Sequence, residues 1–447
     1  MNITSVILAA GQGTRMKSAL PKILHPILGK PMAWYGLQAA KQVVSTPPMM
    51  VVGHGAEQVR SAFGDAARYV VQEQQLGTGH ALMQAETSLR GEADLVLLTY
   101  ADMPLLTANT LQCMVDTQCE KGGAFTMLTV ELDDPHGFGR VVRGAGGTVL
   151  EIVEEAQATP EQLAINELNV GVYCFNAAWL WKALPRIPIS RKGEYYLTDL
   201  AAIAHADGLT VQALSMPDPL EMIGINTRVH LAEATGLMRK RINERWMLEG
   251  VTMIDPEAVY IEPEVTIGKD TVLWPGTYLH GKTQIGEACD IGPNAIIQDT
   301  QIGNRCTVLA SVMEKAVLED DVEIGPFGHL RKGAHLAQHV HMGNFGEVKN
   351  SYLGPGTKMG HFSYLGDATI GEDVNIGAGT ITCNYDGQHK NPTKIGAGAF
   401  IGSDTMLVAP VNIGEGAKTG AGAVVTKDVA PKSLVVGVPA REIRKLE

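Results

Sequence analysis

The chain has 447 residues, enough for two or three domains with large cores, and its 45% apolar and 19% charged content is that of a folded globular protein. A formal net charge of −12 argues against a nucleic-acid or anionic-membrane surface. Six scattered cysteines without a C-x-x-C pair speak against a disulfide framework or zinc module; with no leader-like N-terminus and no apolar run near ~18 residues, a cytoplasmic protein is expected.

The first element is the apolar run Ser5-Val6-Ile7-Leu8-Ala9-Ala10, which stops at Gly11-Gln12-Gly13-Thr14-Arg15-Met16. This has the shape of a buried parallel strand entering a Gly-rich loop whose backbone N–H groups can cradle phosphate. Leu20-Pro21-Lys22 follows, and Arg15 and Lys22 are placed to supply positive charge to a departing pyrophosphate. The string from Leu8 to Met16, taken with Leu20-Pro21-Lys22, resembles the signature of sugar-1-phosphate nucleotidyltransferases. That resemblance puts Leu8, Ala9, Ala10 and Gly11 against a nucleotide and makes Arg15 and Lys22 catalytic.

A second strand, Met49–Val52, closes at Gly53-His54-Gly55, where His54 reads as a packing residue. Val70-Val71-Gln72-Glu73-Gln74-Gln75-Leu76-Gly77-Thr78 then has the amide side chains and small-residue turn that suit base and ribose recognition. The resemblance implies that Gln72, Gln75, Gly77 and Thr78 surround a uracil base. Asp94 to Tyr100 reads as a central strand ending in Tyr100-Ala101-Asp102, and an acid at the carboxyl end of a parallel strand sits where such sheets bind ligands. A substrate with several phosphates needs a hard divalent cation held by few protein ligands, which makes Asp102 a candidate Mg²⁺ ligand. Its family partner is Asn226, and Tyr100 belongs to the same site.

Asp134-Pro135-His136-Gly137-Phe138-Gly139-Arg140 reads as a tight turn close to a ligand. By resemblance Gly139, Glu154 and Asn169 bind the amino-sugar phosphate. Ala101, Ala156 and Val170 depart from the residues common at those positions, which leaves the hexose range open. Strands and helices alternate, so residues 1–226 are expected to form a doubly wound, Rossmann-like α/β domain. Residues 227–250 hold no Pro and favour helix formers, predicting a linker helix ahead of a third segment, 251–447.

In that segment bulky aliphatics recur every sixth residue: Ile267, Leu273, Leu279, Ile285, Ile291 and Ile297, then, after a one-residue slip, Ile302 and Val308. The beat returns at Leu353, Met359, Leu365, Ile370 and Ile376, and again from Ile395 to Ile413. A period of six fits neither a lone helix nor a lone strand and marks a β-helix solenoid. Gly follows many of these aliphatics, as in Ile285-Gly286, and suits a corner of positive φ. The pattern resembles the left-handed parallel β-helix of hexapeptide acyltransferases, a fold that implies a homotrimer with acetyl-CoA between coils.

The stretches 327–333 with 343–349, 360–367 and 382–394 interrupt the beat, and solenoid insertions map to a binding face. Acetyl transfer to an amine needs a base, for which His361 is the candidate. Arg331 and Lys349 suit a sugar phosphate, and Tyr364, Asn375 and Asn384 suit hydroxyls and the amine. His335, His339 and His341 read as surface residues rather than zinc ligands.

With the strings 343–349, 360–367 and 382–387 added, the chain is similar over its whole length to the bifunctional uridylyltransferase–acetyltransferases that make UDP-N-acetylglucosamine. That family's pattern implies that Asn384, Tyr385, Ser403 and Ala421 contact acetyl-CoA and that glucosamine-1-phosphate is acetylated before N-acetylglucosamine-1-phosphate is joined to UMP from UTP. Gly437 stands where the family often has Arg, which bears on CoA binding. The competing reading, a nucleotidyltransferase with a purely structural β-helix, has Arg331, Lys349, His361 and Tyr364 together against it.

Overall fold

A computed structural model describes every residue except Asp134, His136, Pro217, Leu446 and Glu447, so two positions of the turn expected over 134–140 lie outside the described residues. The chain forms two compact units, Met1–Gly236 and Leu237–Glu447, and the division falls inside a 21-residue helix, Arg228–Leu248. Among the described residues no helix is long and apolar enough to cross a membrane.

The first unit is built on one sheet. Its strands run in the order Val211–Ser215, Phe125–Glu131, Glu167–Asn176, Leu95–Tyr100, Ile3–Ala9, Met49–Val52 and Arg68–Val71. Ile3–Ala9 pairs in parallel with both neighbours, and Leu95–Tyr100 and Met49–Val52 are buried almost throughout. Unbroken apolar runs of this kind are what a sheet covered on both faces requires. The strand Glu167–Asn176 runs antiparallel to both of its central neighbours. With Gly139–Arg143 and Val149–Val153 it forms a side sheet, so simple alternation of strands and helices stops after residue 131. Glycine tolerates positive φ without steric penalty, and Gly171, at φ 90° within the bulge of that strand, faces the Tyr100 ring so closely that a Cβ would lie 3.1 Å from it.

The second unit is a left-handed parallel β-helix of three ladders with 12, 10 and 9 strands. Register pairs like with like: Ile267 with Ile285, Leu273 with Ile291, Leu279 with Ile297. Ile285 pairs with Ile302 only 17 residues on, so the slip in the sequence is a shortened corner rather than a lost coil. Between 308 and 353 the coil does not stop. Met313, Leu318, Ile324, Leu330, Leu336, Met342 and Val348 are all buried and stack in the same ladders. Three short steps, at 308–313, 313–318 and 348–353, and a pair of methionines hid the beat there, and the first of the three expected interruptions is continuous solenoid. The expanded corner is the one after Cys383, where Ile370 pairs with Ile395, 25 residues on.

Gly292 and Gly325 take the expected positive φ, but most glycines behind the aliphatics have a different reason. Gly268, Gly286 and Gly354 do not adopt positive φ; a Cβ on each would stand 2.5 Å from backbone of the next coil. Positive φ at the corners is taken instead by residues such as Asp270, Ala288, Arg305 and Asp373. Gly286→Ala is therefore expected to destabilise by roughly 1–3 kcal/mol through overpacking. Gly360→Ala, whose Cβ would meet nothing within 4 Å, should change stability by less than about 0.5 kcal/mol. Thermal unfolding of the two variants checks this, and equal Tm values would sink it.

Candidate functional sites

In the first unit a cavity of about 370 Å³ opens at the carboxyl ends of Ile3–Ala9 and Leu95–Tyr100. Leu8, Ala9, Ala10 and Gly11 line one wall, Gln72, Gln75, Gly77 and Thr78 another, and Lys22, Tyr100 and Asp102 the floor. Sequence-distant walls are tied by specific bonds: Gln75 Nε2 donates to the Ala10 carbonyl at 2.8 Å, and the Ala101 N–H donates to the Leu8 carbonyl. Gly77 has φ 96°, and a Cβ there would lie 2.6 Å from the Tyr195 carbonyl, so only glycine lets the 72–78 loop seat against residues 194–196. Glu194 and Tyr196 consequently line the cavity too. By resemblance Gly193–Asp199 matches a family block near the sugar, but Glu194 and Tyr196 within it carry no separate signal in the sequence.

Asp102 and Asn226 meet although 124 positions apart, because the Ile225 N–H donates to the Asp102 carbonyl at 2.9 Å. Both side chains converge on one cation: Lys22 Nζ donates to Asp102 Oδ2 at 2.5 Å and to Asn226 Oδ1 at 3.2 Å. Two hard oxygen donors facing a single positive charge are the set that fits Mg²⁺, which takes few protein ligands and completes its shell with phosphate and water. Tyr100 is partly buried at the cavity; desolvation first, then the Asp102 and Glu154 carboxylates, push its phenol up, so it remains a neutral O–H. Arg15 lies exposed on the short turn Thr14–Met16 outside the cavity lining.

Glu154 lies on a neighbouring cavity of about 820 Å³ that shares Tyr196 with the first and includes Ala156 and Asp199. Glu154 accepts from Thr198 Oγ1 at 3.0 Å, and Asp199, raised by burial and then by Glu154, is its carboxyl neighbour. Gly139 and Asn169 are register partners one strand away and line neither cavity. The Asn169 amide is engaged internally, donating to Tyr173 Oη at 2.8 Å and accepting from the Gly171 N–H at 3.1 Å. Gly139 has Ile152 Cγ2 3.1 Å from where a Cβ would be.

In the second unit the expected residues fall into two groups. Leu330 pairs with Val348 and Lys349 with Gly366, so Arg331, Lys349 and Gly366 occupy successive rungs of one face, with Tyr364 beside them. Arg331 donates to Glu347 Oε1 at 2.9 Å. A Cβ on Gly366 would stand 2.3 Å from Tyr364 Oη and 2.7 Å from Asn384 Nδ2, so the missing side chain is what leaves room for these two polar groups over the rung. Asn384 in turn donates to Asp367 Oδ2 at 2.6 Å. Tyr385 is exposed and donates to the Gly387 carbonyl.

The expanded corner brings in a cation that the repeat did not signal. Lys390 sits beside Lys349, and hydrogen bonding with it and repulsion from it, followed by repulsion from Arg331, hold the Lys349 ammonium below the ordinary lysine range. Three cations on one face form an anion site. Lys390→Ala is expected to raise KM for a sugar phosphate about tenfold. It also moves the alkaline loss of binding: with its pKa lowered, Lys349 gives up its proton at lower pH than an ordinary lysine, and removing Lys390 shifts that loss upward. KM measured against pH checks both the size and the sign.

The second group follows a corner. Lys358, Asn375, Phe400, Lys418 and Leu434 are paired rung to rung, so three residues further on His361, Ala378, Ser403, Ala421 and Gly437 succeed one another along a single column. His361, Ser403 and Ala421 are exposed on it. Asn375 lies on a different ladder from Tyr364 and Lys349, and one chain does not place it with Arg331.

Residues 5–162 match the family model of the MobA-like NTP transferase domain, and residues 264–299 and 392–427 match that of the bacterial transferase hexapeptide (six repeats). Over 97% of this chain and 95% of theirs, it is 48% identical to the Bifunctional protein GlmU of Heliobacterium modesticaldum and 47% identical to that of Trichlorobacter lovleyi. The protein of the same name from Geobacillus sp. (strain WCH70) is 46% identical over 99% of this chain and 96% of its own.

Proposed function

The chain belongs to the GlmU family of bifunctional proteins, and on that premise we propose that its two units carry two successive transferase steps. The protein is an enzyme that N-acetylates glucosamine-1-phosphate from acetyl-CoA and then transfers a uridylyl group from UTP to N-acetylglucosamine-1-phosphate, giving UDP-N-acetylglucosamine and pyrophosphate. The observation that carries the uridylyl step is the Lys22–Asp102–Asn226 cluster on the floor of a cavity at the strand ends.

Attack by the sugar-phosphate oxygen on the α-phosphorus needs no side-chain nucleophile; positioning and charge stabilisation suffice. Leu8 to Gly11 and Gln72 to Thr78 hold the nucleotide, Lys22 and Arg15 offset charge on the departing pyrophosphate, and Tyr100, Gly139, Glu154 and Asn169 belong to the sugar side. Asp102 and Asn226 would hold Mg²⁺, which supplies charge neutralisation to the phosphates when bound. In the second unit Arg331, Lys349 and Lys390 grip the sugar phosphate, and Tyr364, Asn375 and Asn384 orient its hydroxyls and amine. His361 takes a proton from the neutral amine as its nitrogen bonds to the thioester carbonyl carbon, and returns that proton to the CoA sulfur as the C–S bond breaks and the thiol leaves. Tyr385, Ser403 and Ala421 lie along acetyl-CoA.

The placement of Asn375 and the Arg331 face on separate ladders supports a homotrimer whose neighbouring coils complete each acetyl-transfer site. On this reading the partners are small-molecule substrates, with neither nucleic acid nor membrane, and the enzyme works in the cytoplasm. The test is a single incubation with acetyl-CoA, glucosamine-1-phosphate and UTP, following free thiol and pyrophosphate. Pyrophosphate released only when N-acetylglucosamine-1-phosphate is supplied directly, with no thiol in any mixture, would reduce the β-helix to a scaffold.

A further inference from the structure

We infer that His80 is a positioning residue that fixes the side-chain amide of Gln72 so that the nucleotide cavity accepts uridine and rejects cytidine. The inference rests on the uridylyl-transfer reading and specifies how its base is chosen.

Gln72 follows the strand Arg68–Val71, is 4% exposed and lines the cavity. Its Nε2 lies 3.1 Å from the Gly77 carbonyl and 3.0 Å from His80 Nδ1. A carbonyl only accepts, and the loop bearing it cannot retreat, because Gly77 already packs against the Tyr195 backbone. The Gln72 nitrogen therefore faces Gly77, and its second N–H is directed at His80 Nδ1. That atom must present a lone pair, which puts the imidazole proton on Nε2.

Opposite Nε2, at 3.1 Å, stands the Gln84 amide nitrogen, itself 3.1 Å from the His80 carbonyl. A neutral imidazole accepts from only one of two such nitrogens. Gln72 is buried and among the described residues its amide nitrogen meets only the Gly77 carbonyl and His80, whereas Gln84 is only half-buried on the helix Thr78–Leu89 and can exchange its bond to the His80 carbonyl for water. Gln84 is thus the amide that turns, offering its oxygen to Nε2–H. The His80 ring is held in plane by Tyr195, stacked at 6.3 Å between centroids.

With both Gln72 N–H groups engaged, its carbonyl oxygen is what the side chain offers the cavity. Uracil carries an N–H at ring position 3 and cytosine a lone pair there, so the same oxygen bonds one base and repels the other. Discrimination by an unmatched buried polar group exceeds what apolar contact achieves.

The experiment compares kcat/KM for UTP and CTP, with N-acetylglucosamine-1-phosphate, in the full-length chain and in H80L and H80N. ¹⁵N spectra of histidine-labelled protein give the His80 tautomer, its signals identified by their loss in the variants. H80L, which removes the acceptor, is expected to lower the UTP/CTP ratio at least about tenfold. H80N, with an oxygen able to take the place of Nδ1, should restore most of it, and the spectra should show the proton on Nε2. An unchanged ratio in H80L, an equal loss with both nucleotides, or a proton on Nδ1 each overturns the inference. If H80L does not fold, the H80N ratio and the tautomer decide. A wild-type chain that transfers no uridylyl group overturns the reading beneath it, whereas UTP preference with an unaltered H80L ratio overturns the inference alone.

Discussion

Lys22→Ala is expected to cut uridylyl transfer by roughly 10²–10³-fold while acetyl transfer continues at the wild-type rate. Lys22 is hydrogen-bonded to both Asp102 and Asn226, and it is only 11% exposed. Charge held there, away from bulk water, acts on developing negative charge far more strongly than a solvated lysine would. Removing it also leaves the Asp102 carboxylate without its cation. Pyrophosphate release at saturating UTP reads the effect, with thiol release from acetyl-CoA as the internal control. A fall of less than about tenfold would mean that the cluster organises the loop without taking part in the transfer.

His361→Ala should give the mirror image: acetyl transfer lower by roughly 10²–10⁴-fold, pyrophosphate release from UTP and N-acetylglucosamine-1-phosphate unchanged. His361 stands exposed at a corner, at the head of the column that continues through Ser403 and Ala421 and one strand-start before Tyr364. No other candidate base stands in that column. The loss should appear in kcat rather than in KM for the sugar phosphate, whose cations sit on the adjoining face. A variant that keeps its kcat would transfer the role of base to another group. Parallel loss of both activities would point to misfolding instead.

How far these sites could be read from sequence depends on whether the signal was local. The cradle Leu8–Gly11 and the loop Gln72–Thr78 are contiguous strings, and the structure lines one cavity with them. Asp102 was legible from its place at a strand end, whereas Asn226 was legible only through resemblance, since the backbone bond that joins their loops leaves no mark in composition. Lys390 went unnoticed because it lies in the expanded corner, where the six-residue period offers no frame for asking which face a residue occupies. Ile267 to Ile297 announced the solenoid, yet the equally regular run from Leu318 to Val348 did not, because five-residue steps on either side of it put it out of phase with the stretches that were read, without disturbing the stack. The glycines were noticed for a dihedral most of them do not use; the crowding between coils that requires them is a long-range fact.

The column from His361 to Gly437 is also a graduated scale. Neighbouring strands in a sheet are spaced about 4.8 Å, so its four steps span roughly 19 Å, with one position per graduation. Under the proposed reading the distance between the base and whatever grips the far end of the thioester is counted in whole coils and cannot be adjusted continuously. Lengthening a corner, as after Cys383, leaves that count untouched, whereas inserting or deleting one coil between His361 and Ser403 changes it by a full graduation. The length of the acyl carrier is then the property this architecture can alter least, and corner loops are where new sugar or acyl preferences can arise without disturbing it.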